Sequence, residues 1–263
     1  SLVNEEETAY FRQHPLLADF AKEKFNSRSG HYSAGHLQHE LVAEITDEKL
    51  VRANQAYGRL VDYYLMFIKE NRQTYESLEP EWGNIAAAIE TAYRLEEWGA
   101  VLTFTKEQAD PWQTPARYSD ARRGFGCALD AAMVLGDSAA EAVTLHRWGK
   151  ACLEQNDYAE ATTHLQASHT YYVDKGDKNG VADTQEDLAR IAIEQNRYDE
   201  AAALLKGSLT IRTAIEDQLG IAAIYYQQAY IEYDTANWKE SQELATKALS
   251  IQLEDSRPKA RKG

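Results

Sequence analysis

The hexapeptides NDYAEA (156–161), NRYDEA (196–201) and ANWKES (236–241) follow one pattern, an aromatic residue with a small residue three positions later. Tyr118, Tyr158, Tyr198 and Trp238 stand forty apart, and so do Ala121, Ala161, Ala201 and Ser241. Asp137, Asp177 and Asp217 keep the same step, as do Gly180 and Gly220. A fixed step of this size marks a solenoid of stacked supersecondary units, none of which can bury its apolar face alone.

Each unit reads as two helices. In VADTQEDLARIAIEQ (181–195), Leu188, Ile191 and Ile193 supply apolar positions, and Ala189 is small where a neighbouring helix must approach closely. The chain turns at NRY and enters DEAAALLKGSLTIRTAIE (199–216), with Ala202, Leu205, Leu209 and Ile211 at helical spacing. DKNG (177–180) and EDQLG (216–220) lead to the next unit, with Gly180 and Gly220 expected at left-handed helix ends. Tyr158, Tyr198 and Trp238 are expected to wedge between successive helices. After residue 30 there is no sustained two-residue alternation bounded by turn dipeptides, so strands are not expected. The fold expected is all-α, a right-handed superhelix of helix pairs.

The net charge of −14 argues against a general nucleic-acid role, which needs clustered Lys and Arg. The basic exception is SRPKARKG (256–263), which has nothing apolar to bury and reads as a disordered tail. No apolar run is long enough to span a bilayer, and SLVNEEETAYF (1–11) shows no secretory pattern. Cys127 and Cys152, the only cysteines, lie among small and apolar residues and read as buried thiols of a reducing compartment, so the expected location is cytoplasmic.

A small residue in the first helix (Gly149, Ala189, Ala229), followed by Asp or Asn, Tyr, and a later Ala, resembles the tetratricopeptide repeat. The forty-residue unit is longer than the usual repeat of about 34. It looks like the variant in sensor regions of signal-transduction ATPases of the STAND or NB-ARC type. Residues 1–25, with His14, Pro15, Leu16 and Leu17, resemble the end of that family's winged-helix module; LVDYYLMFIKE (60–70) and EPEWGNIAAAIETAYRLEEW (79–98) resemble the helices that follow it. The resemblance implies a winged-helix remnant (1–25), a helical linker (26–75), a repeat array (76–255) and the tail (256–263). It implies a non-catalytic protein- or peptide-binding sensor, the regulatory part of a signalling ATPase. A free-standing peptide receptor and part of a transcription regulator are the alternatives.

The chain has no G-x-x-x-x-G-K-[ST] loop, so a phosphate cradle of that type is missing. The G-x-G in ARRGFGCALD (121–130) falls inside a predicted helix. Pro111 and Pro115 in DPWQTP end the first repeat's leading helix near Asp110. His31, His36 and His39 cluster near Ser and Gly and read as solvated side chains of a loop leading into a helix. His146, His164 and His169 fall in the repeat helices without a compelling catalytic order. No catalytic, cofactor or metal residues are expected.

In the family, the first helix of each unit lines a concave groove. Its fifth position carries over to Lys106, His146, Glu186 and Tyr226, and its ninth to Asp110, Lys150, Arg190 and Tyr230, with Tyr233 and Asp234 completing the last unit. Residues four apart share a helical face. Lys150 and Arg190 are expected to hold a carboxylate of a peptide or protein ligand, and the tyrosines to offer apolar area with a polar edge. Nucleic acid and membrane are not expected as partners; self-association through the aromatic end is possible.

Overall fold

The structure is a computed structural model that describes residues 47–71, 75–108 and 118–255. The expectations for residues 1–25, for His31, His36 and His39, for Asp110, Pro111 and Pro115, and for the tail lie outside these residues. All elements described are helical: α1 (Asp47–Asn71), α2 (Tyr75–Leu78) with a 3-10 turn (Glu79–Glu81), α3 (Trp82–Arg94), α4 (Trp98–Gln108), α5 (Tyr118–Leu135), α6 (Ser138–Glu154), α7 (Tyr158–Lys175), α8 (Lys178–Glu194), α9 (Tyr198–Ala214), α10 (Gln218–Asp234) and α11 (Trp238–Asp255). No strand occurs among the described residues, and no helix there is long and apolar enough to cross a membrane.

Packing is mainly between consecutive helices, and is closest within the pairs α6–α7, α8–α9 and α10–α11. α1 packs on α3 and α4 over a core of Val61, Ile68, Ile85 and Phe104, which continues to Phe125 of α5. Further along, Cys152, Leu153, Ala161, Leu165 and Ile191 form a second cluster, and Ala189, Leu205, Ile224 and Ile231 anchor a third.

Small residues set the helix spacing. A Cβ on Gly149 would lie 2.6 Å from Leu165 Cγ and 3.3 Å from the Ala161 carbonyl. Ala189 and Ala201 are fully buried, and Ala229 nearly so. Ser241 stands where the preceding pairs have Ala161 and Ala201, and donates its hydroxyl to the Ala229 carbonyl at 2.8 Å. Gly124 and Gly126 lie inside α5, as expected. In α9 the fully buried alanine is Ala201, while Ala202 faces solvent.

The turns correct one expectation. Gly180 and Gly220 do not end helices; they lie in the first turns of α8 and α10. Gly176, Asn156, Asn196 and Glu216 are among the residues that take the left-handed conformation. Gly180 is small because Tyr172 covers it: a Cβ there would meet the ring at 2.3 Å. Asp137, Asp177 and Asp217 cap α6, α8 and α10 by accepting backbone N–H bonds in the first turn.

The aromatic column divides. Tyr158 and Tyr198 are partly buried, and their hydroxyls donate to the Asn156 and Asn196 side chains at 2.9 and 2.8 Å. They therefore latch the left-handed turns that precede them. Trp238 is 59% exposed and meets Tyr233 edge-on, with ring centroids 5.0 Å apart, rather than wedging between helices.

Candidate functional site

The residues expected to line a groove occupy α4, α6, α8 and α10, and the structure sorts them by what they already touch. His146 is mostly buried. Its Nε2 lies 2.8 Å from Asp187 Oδ2, and its ring meets Tyr172 edge-on at 6.1 Å. Glu186 accepts from Ser208 Oγ at 2.7 Å and from Arg212 Nε at 2.8 Å. Both side chains are engaged within the fold.

Arg212 is buried at 8% side-chain exposure and contacts three carboxylates: Glu186, Asp183 and, at 3.0 Å, Asp217. Burial pushes the Glu186 carboxyl up, against the pull of Ser208 and Arg212. On Arg212, burial acts downward and is outweighed by Asp183 and Glu186, so the guanidinium stays charged. The cluster cross-links α8, α9 and the start of α10.

Arg190 remains on the outer surface, but its fork is filled. Nη1 and Nη2 reach the two oxygens of Glu154 at 2.6 and 3.4 Å. The expected two-point contact with a ligand carboxylate is thus made inside the chain, between α8 and α6. Lys150 is half-buried and lies one turn after His146. Lys106 is exposed at the end of α4, where its carbonyl accepts from Arg147 Nη1 at 3.1 Å.

The tyrosines differ. Tyr226, Tyr230 and Tyr233 are 66%, 46% and 58% exposed and follow one another at i, i+4 and i+7 on α10. Trp238 extends this stripe onto α11 through its contact with Tyr233. The ground beneath is acidic. Asp234 Oδ2 lies 3.2 Å from the Tyr198 hydroxyl oxygen, and its charge, with burial and the charge of Glu194, pushes the Tyr230 phenol up.

A second convergence was not legible beforehand. Cys152 of α6 and Glu160 and His164 of α7 bring a sulfur, a carboxylate oxygen and an imidazole nitrogen within 4.8 Å of one another. Glu160 and His164 are four apart on a helix, a spacing visible in the sequence, but Cys152 joins them only across the helix–turn–helix. Neither Cys127 nor Cys152 is in a disulfide.

Comparison with models of known protein families and with curated proteins gives no match for this chain.

Proposed function

We propose that the chain is a non-catalytic sensor module that binds a protein or peptide segment along α10. The observation that carries this is the Tyr226–Tyr230–Tyr233 stripe with Trp238: four exposed aromatic side chains on neighbouring turns, whereas Met133, Val134 and Leu135 and the other exposed apolar residues are mostly aliphatic. Such side chains give contact area at low entropic cost and dominate binding hot spots. With Arg190 neutralised by Glu154, and Asp234 and Glu194 beside the tyrosines, the face suits a segment with an apolar or aromatic anchor and a basic side chain. It suits an acidic ligand less well.

The finer architecture belongs to the same proposal: a right-handed tetratricopeptide superhelix with a forty-residue period. Helix starts at residues 118, 158, 198 and 238, and at 138, 178 and 218, support it, as do the close approaches at Gly149, Ala189 and Ala229. The role as regulatory part of a STAND-type ATPase rests on the sequence resemblance.

The test uses the full chain as bait in an extract of its native source, beside a Tyr226→Ser, Tyr230→Ser, Tyr233→Ser variant and a Lys150→Ala, Arg190→Ala variant. Circular dichroism checks that both stay folded. The expected result is a partner whose capture falls about tenfold or more in the tyrosine variant, as loss of more than 1.4 kcal/mol would give. A partner held equally by wild type and the tyrosine variant overturns the placement on α10. A partner lost only in the Lys150, Arg190 variant returns the site to α6 and α8.

A further inference from the structure

Cys152 sits in the last turn of α6 and is fully buried. Across the turn, Glu160 and His164 face it from the first two turns of α7, where their i, i+4 spacing aligns them. Trp148 lies over the imidazole, with centroids 4.3 Å apart and planes 28° apart, which fixes the ring's orientation. His164 Nε2 is shielded from solvent and has no hydrogen-bond partner. The nearest carboxylate oxygen, Glu160 Oε1, lies 3.5 Å away, too far for a good hydrogen bond. A buried ring nitrogen without a hydrogen-bond partner is a costly arrangement, and here it lies beside two further ligand atoms.

We propose that Cys152, Glu160 and His164 are ligands of a divalent transition-metal site of the zinc type, pinning α6 to α7. The donor set decides the class of ion. Sulfur with imidazole nitrogen suits zinc or cobalt, whereas calcium and magnesium take oxygen ligands. Tetrahedral zinc holds its ligand atoms about 3.3–3.8 Å apart, given Zn–S near 2.3 Å and Zn–N near 2.0 Å, so the three atoms need close by only about 1 Å. Binding replaces the thiol proton of Cys152 with a metal–sulfur bond and releases that proton to solvent. Thiolate, carboxylate and dication then sum to zero charge, which makes the centre tolerable in a buried setting.

The slight exposure of Glu160 and His164, 19% and 15%, marks the side from which the ion and a fourth, water ligand would enter. Arg122, 3.1 Å from the same Glu160 oxygen and half-exposed, competes for the carboxylate and must swing aside. A Cys–His–Glu set is also an arrangement for acyl transfer. The sulfur, at 0% exposure, admits no acyl substrate, whereas an ion needs only the space between the ligands.

The test is a Co²⁺ titration of the full chain under a phosphine reductant, with His31, His36 and His39 changed to Gln to remove the three imidazoles that lie close together in sequence. The expected result is a near-ultraviolet sulfur-to-cobalt charge-transfer band and strong visible bands of four-coordinate cobalt, both bleached by Zn²⁺. Cys152→Ser should lose the near-ultraviolet band, Cys127→Ser should keep it, and His164→Gln should weaken Co²⁺ binding about tenfold or more. Circular dichroism checks the fold; if Cys152→Ser does not fold, His164→Gln decides. Absence of the near-ultraviolet band, its persistence in Cys152→Ser, or unchanged affinity in His164→Gln overturns the site.

Discussion

Two junctions of the array place the same pair of positions together and fill them differently. Between α6, α7 and α8, His146 meets Tyr172; between α8, α9 and α10, Glu186 meets Arg212, again 26 residues on. The surroundings match. Ser168 donates to the Ala142 carbonyl at 2.8 Å and Ser208 Oγ, whose proton goes to Glu186, lies 3.3 Å from the Ala182 carbonyl, while Gly180 and Gly220 make room for Tyr172 and Arg212. Backbone approach, a buried serine and a missing Cβ therefore define the junction. The pair that fills it can be aromatic or ionic. At the end of the array the corresponding residues are Tyr226 and Gln252, both exposed, and there the first of the pair is left open as surface.

Breaking the ionic junction should have the largest effect. Arg212→Met leaves Glu186 in a buried site with no counter-charge, which costs about 3–5 kcal/mol when one partner of a buried pair is removed. Asp183 and Asp217 are 46% and 33% exposed and add little. Urea unfolding measures the loss. Installing the other junction's pair, Glu186→His with Arg212→Tyr, should restore more than half of it. A double variant no better than Arg212→Met would show that the two junctions are not interchangeable.

The glycines sharpen the same comparison. Gly180→Ala drives a methyl into the rigid ring of Tyr172 and should cost about 1–3 kcal/mol in the same assay. Gly220→Ala meets the Arg212 Cδ and Nε and the Asp217 carboxylate, parts of side chains that can shift, and should cost less than half as much. Gly126→Ala, in a helix with nothing within 4 Å, should raise stability by up to about 1 kcal/mol. Equal costs at residues 180 and 220 would mean that the backbone, not the covering side chain, needs the glycine.

Acid should act on the α6–α7–α8 junction. Burial depresses the imidazoles of His164 and His169 in the folded chain. The unfolded state then binds protons more tightly, so their contribution to stability is whole above the unfolded pKa of about 6.5 and is lost as pH falls through the folded values. Around His164, Glu160 and Asp157 oppose the shift and Arg122 adds to it. The fall in melting temperature between pH 7.5 and 5 should be shallower in His164→Gln than in wild type; identical slopes would remove His164 from the account. The smallest effect is expected at the open end, where Tyr226→Ser should change stability by less than about 0.5 kcal/mol.

Local physics made part of this molecule legible. Apolar residues at helical spacing and small residues repeating every forty positions are visible in the chain itself, and they mark α6 to α11 without knowledge of the neighbours. Glycine misled at residues 180 and 220 because turn chemistry and lack of space favour the same residue. That residues four apart on one helix share a face was legible. What that face does was not. His146 and Glu186 are taken by residues 26 positions later, Arg190 by one 36 earlier, and Cys152 finds His164 across a turn. Such pairings depend on where one helix settles against the next, to within the length of a hydrogen bond. Helical periodicity determines which residues look outward from their own axis, and only the packed structure decides which of them meet a partner and which, like Tyr226 and Tyr230, are left facing solvent.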